Sequence, residues 1–130
     1  MSQEKQEVSK MEEQPTYAGI YELKDTAKMM TSPDYKIRFV AEYIQLKIRY
    51  EKLKYLLTRW EAGGRRFDMD RPCHSPEEYE KDLTDWLGFL PSCSFGLLKE
   101  QQRQMGELLH TLEVRSIIEG IDLRLVTIKL

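Results

Sequence analysis

No stretch of this chain comes near the roughly 20 consecutive apolar residues that a bilayer-crossing helix requires, and its opening, MSQEKQEVSK, has none of the apolar core of a signal peptide. A membrane partner is therefore not expected. Cysteine is scarce as well. Cys73 and Cys93 are the only two, too few for a disulfide scaffold, and they read as free thiols of a reducing cytosol. With His74 and His110 they do not make a zinc set, because Cys73 and His74 are adjacent and the other gaps match none of the paired ligand spacings. A Cys–His dyad from the same residues lacks any nearby orienting carboxylate or oxyanion pocket. The G-x-x-x-x-G-K signature of a phosphate-binding loop is also missing. The expectation is a non-enzymatic protein with no metal and no cofactor.

What is present is a mixture of 41% apolar and 32% charged residues with a formal charge of -2, ordinary for a globular protein of one modest domain. Residues 1–14 are polar and aperiodic and read as a disordered leader, leaving 15–130 as one helical domain. The first long helix is expected over 33–62. Ser32 stands as N-cap, Pro33 at the first helical position and Asp34 at the positive end of the dipole, and the pair Gly63 and Gly64 serves as the stop. Along it Phe39, Tyr43, Leu46, Tyr50, Leu53, Leu57 and Trp60 are spaced alternately by four and three residues, a heptad stripe that keeps one face toward a neighbouring helix. Its residues Phe39, Tyr43, Leu46, Tyr50, Leu53 and Leu57 are the candidate seam of an oligomer.

A short helix over 76–87 follows from Ser75, Pro76 and Glu78, a capping box, and ends at Gly88. Another over 95–119 lies between Ser94 and Gly120, with Leu98, Met105, Leu108, Leu109, Leu112 and Ile118 along a stripe and Gly106 marking a close helix approach. The tail switches to alternation and reads as a strand over 121–129, to be paired either with the segment from Thr16 to Leu23 or with the tail of a second chain. These elements predict a mainly α fold: a long antiparallel helical hairpin with a short intervening helix and a minor terminal β element, completed by oligomerisation.

Two segments carry a family resemblance. DYKIRFVAEYIQLKIRYEKLKYLLTRWEAG, Asp34 to Gly63, and CSFGLLKEQQRQMGELLHTLEVRSIIEGI, Cys93 to Ile121, resemble the small helical proteins of gut bacteriophages and Firmicutes prophages named after a crAss-like phage gene product. Charged surface positions agree as well as apolar ones. The chain departs from the pattern in a longer insert from Asp68 to Leu90, a more strand-like tail and Leu108–Leu109 in place of a Tyr–Leu pair. The resemblance implies a phage or prophage origin, hence a cytoplasmic location in a bacterial host, and it offers no catalytic residues to carry over.

Binding candidates remain. In GGRRF the guanidiniums of Arg65 and Arg66 follow flexible glycines, and with Arg59 and Arg71 they would ring an anion pocket where several chains meet, Trp60 or Phe67 stacking a base. The plainer reading of the same residues is a helix stop followed by solvated arginines. Trp86, Phe89 and Leu90 of the insert are candidates for docking a partner protein. Lys47, Arg49, Lys52 and Lys54 form a basic face, but Glu51 interrupts it and the whole chain is acidic, so nucleic acid is not an expected partner. The function expected is that of a phage accessory protein acting by binding, a counter-defence factor that sequesters a nucleotide immune signal or blocks a host defence protein. The alternative is a structural or regulatory interaction module with no small ligand.

Overall fold

A computed structural model describes residues 17–70 and 75–130, the side chains of 68–70 excepted, and shows a mainly helical chain. The leader at 1–14, together with Arg71, Cys73 and His74, lies outside the described residues. Strand β1 (Gly19–Tyr21) leads through a 3-10 turn (Leu23–Asp25) into the short helix α1 (Thr26–Met30). Then come α2 (Tyr35–Asp70), α3 (Pro76–Leu87), α4 (Phe95–Glu119) and strand β2 (Val126–Ile128).

Helix α2 departs from the sequence reading at both ends. It starts at Tyr35 because Asp34, not Ser32, does the capping: its Oδ1 accepts the Lys36 amide at 2.9 Å, in a first turn whose amides have no helical partner. At the far end Gly63 and Gly64 do not stop it, and it continues to Asp70. Left-handed backbone occurs among the described residues only at Gly88 and Gly120, so this glycine pair is helical. The reason for a glycine lies across the helix. A Cβ on Gly63 would sit 2.4 Å from Cδ1 of the Trp86 indole, so the missing side chain makes room for α3.

Helices α3 and α4 have local ends. Ser75 accepts the Glu78 amide at 3.1 Å and Pro76 occupies the first turn; Ser94 accepts the Leu97 amide at 3.2 Å. Gly88 and Gly120 close the two helices in the left-handed region, at φ 86° and 71°.

Contacts pair α2 with α4 in opposite chain order. The Tyr35 hydroxyl donates to Glu119 at 2.9 Å and that of Tyr43 to Glu113 at 3.3 Å. Farther along α2, Tyr50 packs where Gly106 leaves space, and Trp60 meets the Phe95 ring edge-on at 5.4 Å. Phe39, Tyr43 and Leu57 are buried, and Leu46, Tyr50 and Leu53 pack beside them. The stripe read as an oligomer seam is therefore this chain's own core. Heptad spacing dictates only that a helix faces it, and the inner stripe of α4, Leu98, Gln102, Met105, Leu109, Leu112 and Ser116, supplies that helix. Leu108 and Ile118, grouped with that stripe in the sequence, point outward instead.

The tail pairs within the chain. β1 and β2 are parallel, with Gly19 opposite Val126 and Tyr21 opposite Ile128. The strand is shorter than the expected 121–129 because Asp122 takes the Arg124 amide at 3.0 Å, a local bond that turns the chain away from a ladder. The buried Thr26 hydroxyl donates to the Leu23 carbonyl and accepts from Gln45, joining α1 to α2.

Burial pushes the Tyr43 phenol up to about 12, with Glu113 adding to the effect. Burial also raises Tyr17, helped by Asp34. Below pH 10, the ordinary phenol value, both states hold the proton and nothing changes. Between pH 10 and about 12 only the unfolded chain releases it, so stability falls as pH rises through that window. Tyr43→Phe is expected to flatten part of this fall, leaving the shares due to Tyr17 and to Tyr35, which its hydrogen bond to Glu119 also raises, in urea unfolding followed across the same pH range.

Candidate functional site

The outer face of α2 carries Lys52, Tyr55 and Arg59, three and four residues apart, a spacing that sets them side by side on one face of a helix. Tyr55 is 66% exposed although it is a large aromatic residue. Where α3 ends, the chain turns at Gly88 and brings Leu87 and Phe89 against this face. The result is a groove of about 490 Å³ lined by Lys52, Tyr55, Leu56, Arg59, Leu87, Phe89 and Leu130. Two cations and two exposed rings meet there, and no acidic side chain lines it.

The back wall is held by Trp86. Its indole N–H donates to the Arg59 carbonyl at 2.6 Å, and the Arg59 guanidinium donates twice to the Trp86 carbonyl, at 2.7 and 3.1 Å. The guanidinium carbons of Arg59 and Arg66 stand 4.6 and 5.4 Å from the indole centre, within cation–π range. Phe67 meets the same indole edge-on at 6.4 Å. This reciprocal pairing fixes Arg59 at the rim of the groove.

The structure thus brings together Arg59, Arg66 and Phe67 of the sequence-derived anion set, but around Trp86 rather than around an open pocket. Trp60 is not available to stack a base. It is 7% exposed, and its N–H donates to the Tyr79 hydroxyl at 2.9 Å. Arg65 points outward and pairs with Glu61 at 3.3 Å, while Arg71 lies outside the described residues. Among the docking candidates, Trp86 is engaged within the chain, whereas Phe89 and Leu90 are exposed. The sequence places Lys52 only on the basic face weighed against nucleic acid and gives Tyr55 no ligand role, because two residues on a solvated helix face match no motif. The available signal was an aromatic between two cations, off the heptad stripe.

Two other grooves suit an anion less well, and a third of about 310 Å³, with Arg49 and Lys52 in its lining, has no ring to stack a base. One of about 640 Å³ beside the sheet is lined by Tyr43, Glu113, Asp122 and Arg124 among others. Its only cation is engaged: Arg124 holds Asp122 down to about 2 and leaves Glu113 to repel a phosphate. Another, of about 500 Å³, has Lys99 and Arg103 beside Glu100, but Arg103 is paired with Glu100 and Glu107. Among the described residues no three His, Cys, Asp or Glu side chains gather as metal ligands, and no helix is long and apolar enough to cross a membrane.

Residues 33–74 match the model of a family described as Sequestin. The match covers less than half of the chain and takes in α2 with Lys52, Tyr55, Arg59, Arg66 and Phe67. It overlaps the first of the two segments behind the phage-protein resemblance, while the second lies outside it. No curated protein and no solved structure matches the chain. What the similarity carries, by the family's name, is a binding or sequestering role.

Proposed function

We propose that this protein is a non-enzymatic, self-associating helical hairpin of phage or prophage origin that works in the cytoplasm of a bacterial host, where it sequesters a nucleotide signal of host immunity. The observation that supports this most is the groove along α2, in which Lys52 and Arg59 flank the exposed rings of Tyr55 and Phe89. Phosphates need fixed cations, and a base needs an aromatic face; the groove offers both. A chain that only sequesters requires nothing more, since tight binding without a nucleophile or general base removes a signal from circulation. The name of the matched family fits the same role.

Isothermal titration and thermal shift with cyclic and ADP-ribose-type nucleotides test the reading. A bound nucleotide is expected to raise the melting temperature through mass action. Tyr55→Ala is expected to weaken binding about 10- to 100-fold, the usual contribution of one stacked base, and Lys52→Glu to weaken it at least as much with a shallower salt dependence. Because both side chains lie on the surface, the melting temperature without ligand is expected to stay unchanged. No shift from any nucleotide of these classes, at millimolar concentration, rejects the reading.

A second reading has its own observation. Phe89 and Leu90 are neighbouring large apolar residues, both about half exposed, and would suit a host defence protein that the chain blocks. Loss of one captured protein on Phe89→Ser, with nucleotide binding absent in the parent, favours that reading.

A further inference from the structure

Lys52 stands between two grooves. On one side is the groove of Tyr55 and Phe89, and on the other the groove of about 310 Å³ that α2 forms with α4; Lys52 and Leu56 line both. The first takes its α2 wall from residues 52–59 and the second from residues 49–56, an offset of about 4.5 Å along the helix at roughly 1.5 Å per residue. They are neighbouring parts of one surface. The cations follow the same line. Arg49 lines the second groove, Arg59 the first and Lys52 both, and neither lining contains a carboxylate. Among the described residues none of the three has a carboxylate partner, whereas Lys47 and Arg65 of the same helix pair with Glu51 and Glu61.

One phosphate cannot use all three cations. Arg49 and Arg59 are ten residues apart, about 15 Å along the helix at roughly 1.5 Å per residue, with Lys52 between them. A ligand carrying a single phosphate beside its base would meet Lys52 and Arg59 and leave Arg49 facing water. The second groove differs from the first in what it offers. It has no ring, but Leu53, Leu98 and Met105 give it an apolar floor, and Gln101 sets an amide beside that floor. The Gln101 N–H reaches only the Met105 sulfur, at 3.9 Å, a weak acceptor that a better one would displace. A thioether adapts to an irregular shape, and an amide matches the hydrogen-bonding edge of a base. The two grooves are therefore unlike half-sites that meet at a shared lysine, one with rings to stack a base and one with an apolar bed and an amide.

We infer that the ligand is of the dinucleotide class, two nucleosides joined through phosphate, and that it spans both grooves. One base lies on Tyr55 and Phe89, the phosphates gather at Lys52 with Arg59 and Arg49 to either side, and the second nucleoside packs on Leu53, Leu98 and Met105. The assignment rests on the nucleotide reading above and names the ligand more narrowly, so the two can fail separately: a site for mononucleotides alone would end the one and leave the other standing.

Isothermal titration of the full chain with adenosine monophosphate, linear diadenylate and cyclic diadenylate tests it. Both diadenylates are expected to bind at least about 10-fold tighter than the monophosphate, because the second half engages as an intramolecular event. Arg49→Ala is expected to weaken both diadenylates about 10-fold, the loss of one charge-assisted bond, and to leave the monophosphate unchanged. Tyr55→Ala should weaken all three. Arg49 is exposed, so the melting temperature without ligand should not move. Monophosphate binding as tight as that of the diadenylates, or an Arg49→Ala effect that is equal on all three or absent from all three, overturns the inference while the nucleotide reading stands. Binding of none of the three also overturns it, and the ADP-ribose-type nucleotides then decide the broader reading.

Discussion

Gly63→Ala is expected to destabilise the protein, whereas Gly64→Ala, one residue farther along the same helix, is expected to stabilise it. Alanine is worth up to about 1 kcal/mol over glycine in a helix interior, so both substitutions begin with the same favourable term. Nothing lies within 4 Å of a Cβ at Gly64, and there the term stands at about 0.5–1 kcal/mol. At Gly63 the added carbon would meet Cδ1 and Nε1 of Trp86 at 2.4 and 2.5 Å. An indole can yield only as a rigid plate, and this one is fixed by its bond to the Arg59 carbonyl. Overpacking of this kind costs about 1–3 kcal/mol, and pushing the ring away sacrifices a hydrogen bond worth about 1 kcal/mol more. The steric term wins, with a net loss of roughly 1–3 kcal/mol. Urea unfolding of the two variants checks the opposite signs. In a Trp86→Ala background the obstacle is gone, and Gly63→Ala should change sign and stabilise; equal effects at the two glycines in the parent would mean that α3 does not dock on α2 as described.

The same glycine pair shows why part of the fold was illegible in the sequence. A glycine after a helical stretch is a stop when its backbone turns left-handed and a close-packing site when it stays helical, and composition does not distinguish the two. Gly88 and Gly120 are of the first kind, Gly63 and Gly106 of the second. Helix ends set by contacts within a few residues could be read locally, which is why Ser75, Ser94, Gly88 and Gly120 carry their meaning in the sequence. Ends and faces set by contacts far along the chain could not. The stripe from Phe39 to Trp60 announced a partner helix, but whether that partner lay in the same chain depended on how α4, far along the sequence, folds back, which local spacing does not decide.

The candidate site was legible by composition and not by arrangement. Arg59, Arg66 and Phe67 do converge, but the residue that gathers them is Trp86, read from the sequence as a hook for another protein. An aromatic side chain among arginines can equally be a ligand platform or the plate on which the arginines rest. Geometry decides: the guanidinium of Arg59 donates to the Trp86 backbone as well as covering its ring, so the pair is structural and the exposed Tyr55 and Phe89 are left as the rings a ligand can reach.

Trp60 puts the distinction to its strongest test. Taken from sequence as a base-stacking residue, it would be dispensable for folding, and Trp60→Ala would cost little. In the structure it is 7% exposed, packs with Leu57 and Leu83, stands edge-on to Phe95 and donates to Tyr79. Removing so large a buried side chain costs about 3–5 kcal/mol, a large share of the 5–15 kcal/mol or so that holds a typical domain together. Trp60→Phe retains most of the apolar body but not the N–H, leaving the Tyr79 hydroxyl without that partner, and is expected to cost less. Tyr79→Phe isolates the hydrogen bond alone, at about 1 kcal/mol. Equilibrium unfolding of the three variants should therefore rank them alanine, then phenylalanine at 60, then phenylalanine at 79. Nucleotide affinity of the folded Trp60→Phe protein should match that of the parent, because this ring supports the far side of α2 and does not face the groove; a variant with parental stability and lost affinity would return Trp60 to the ligand and displace Tyr55 from that role.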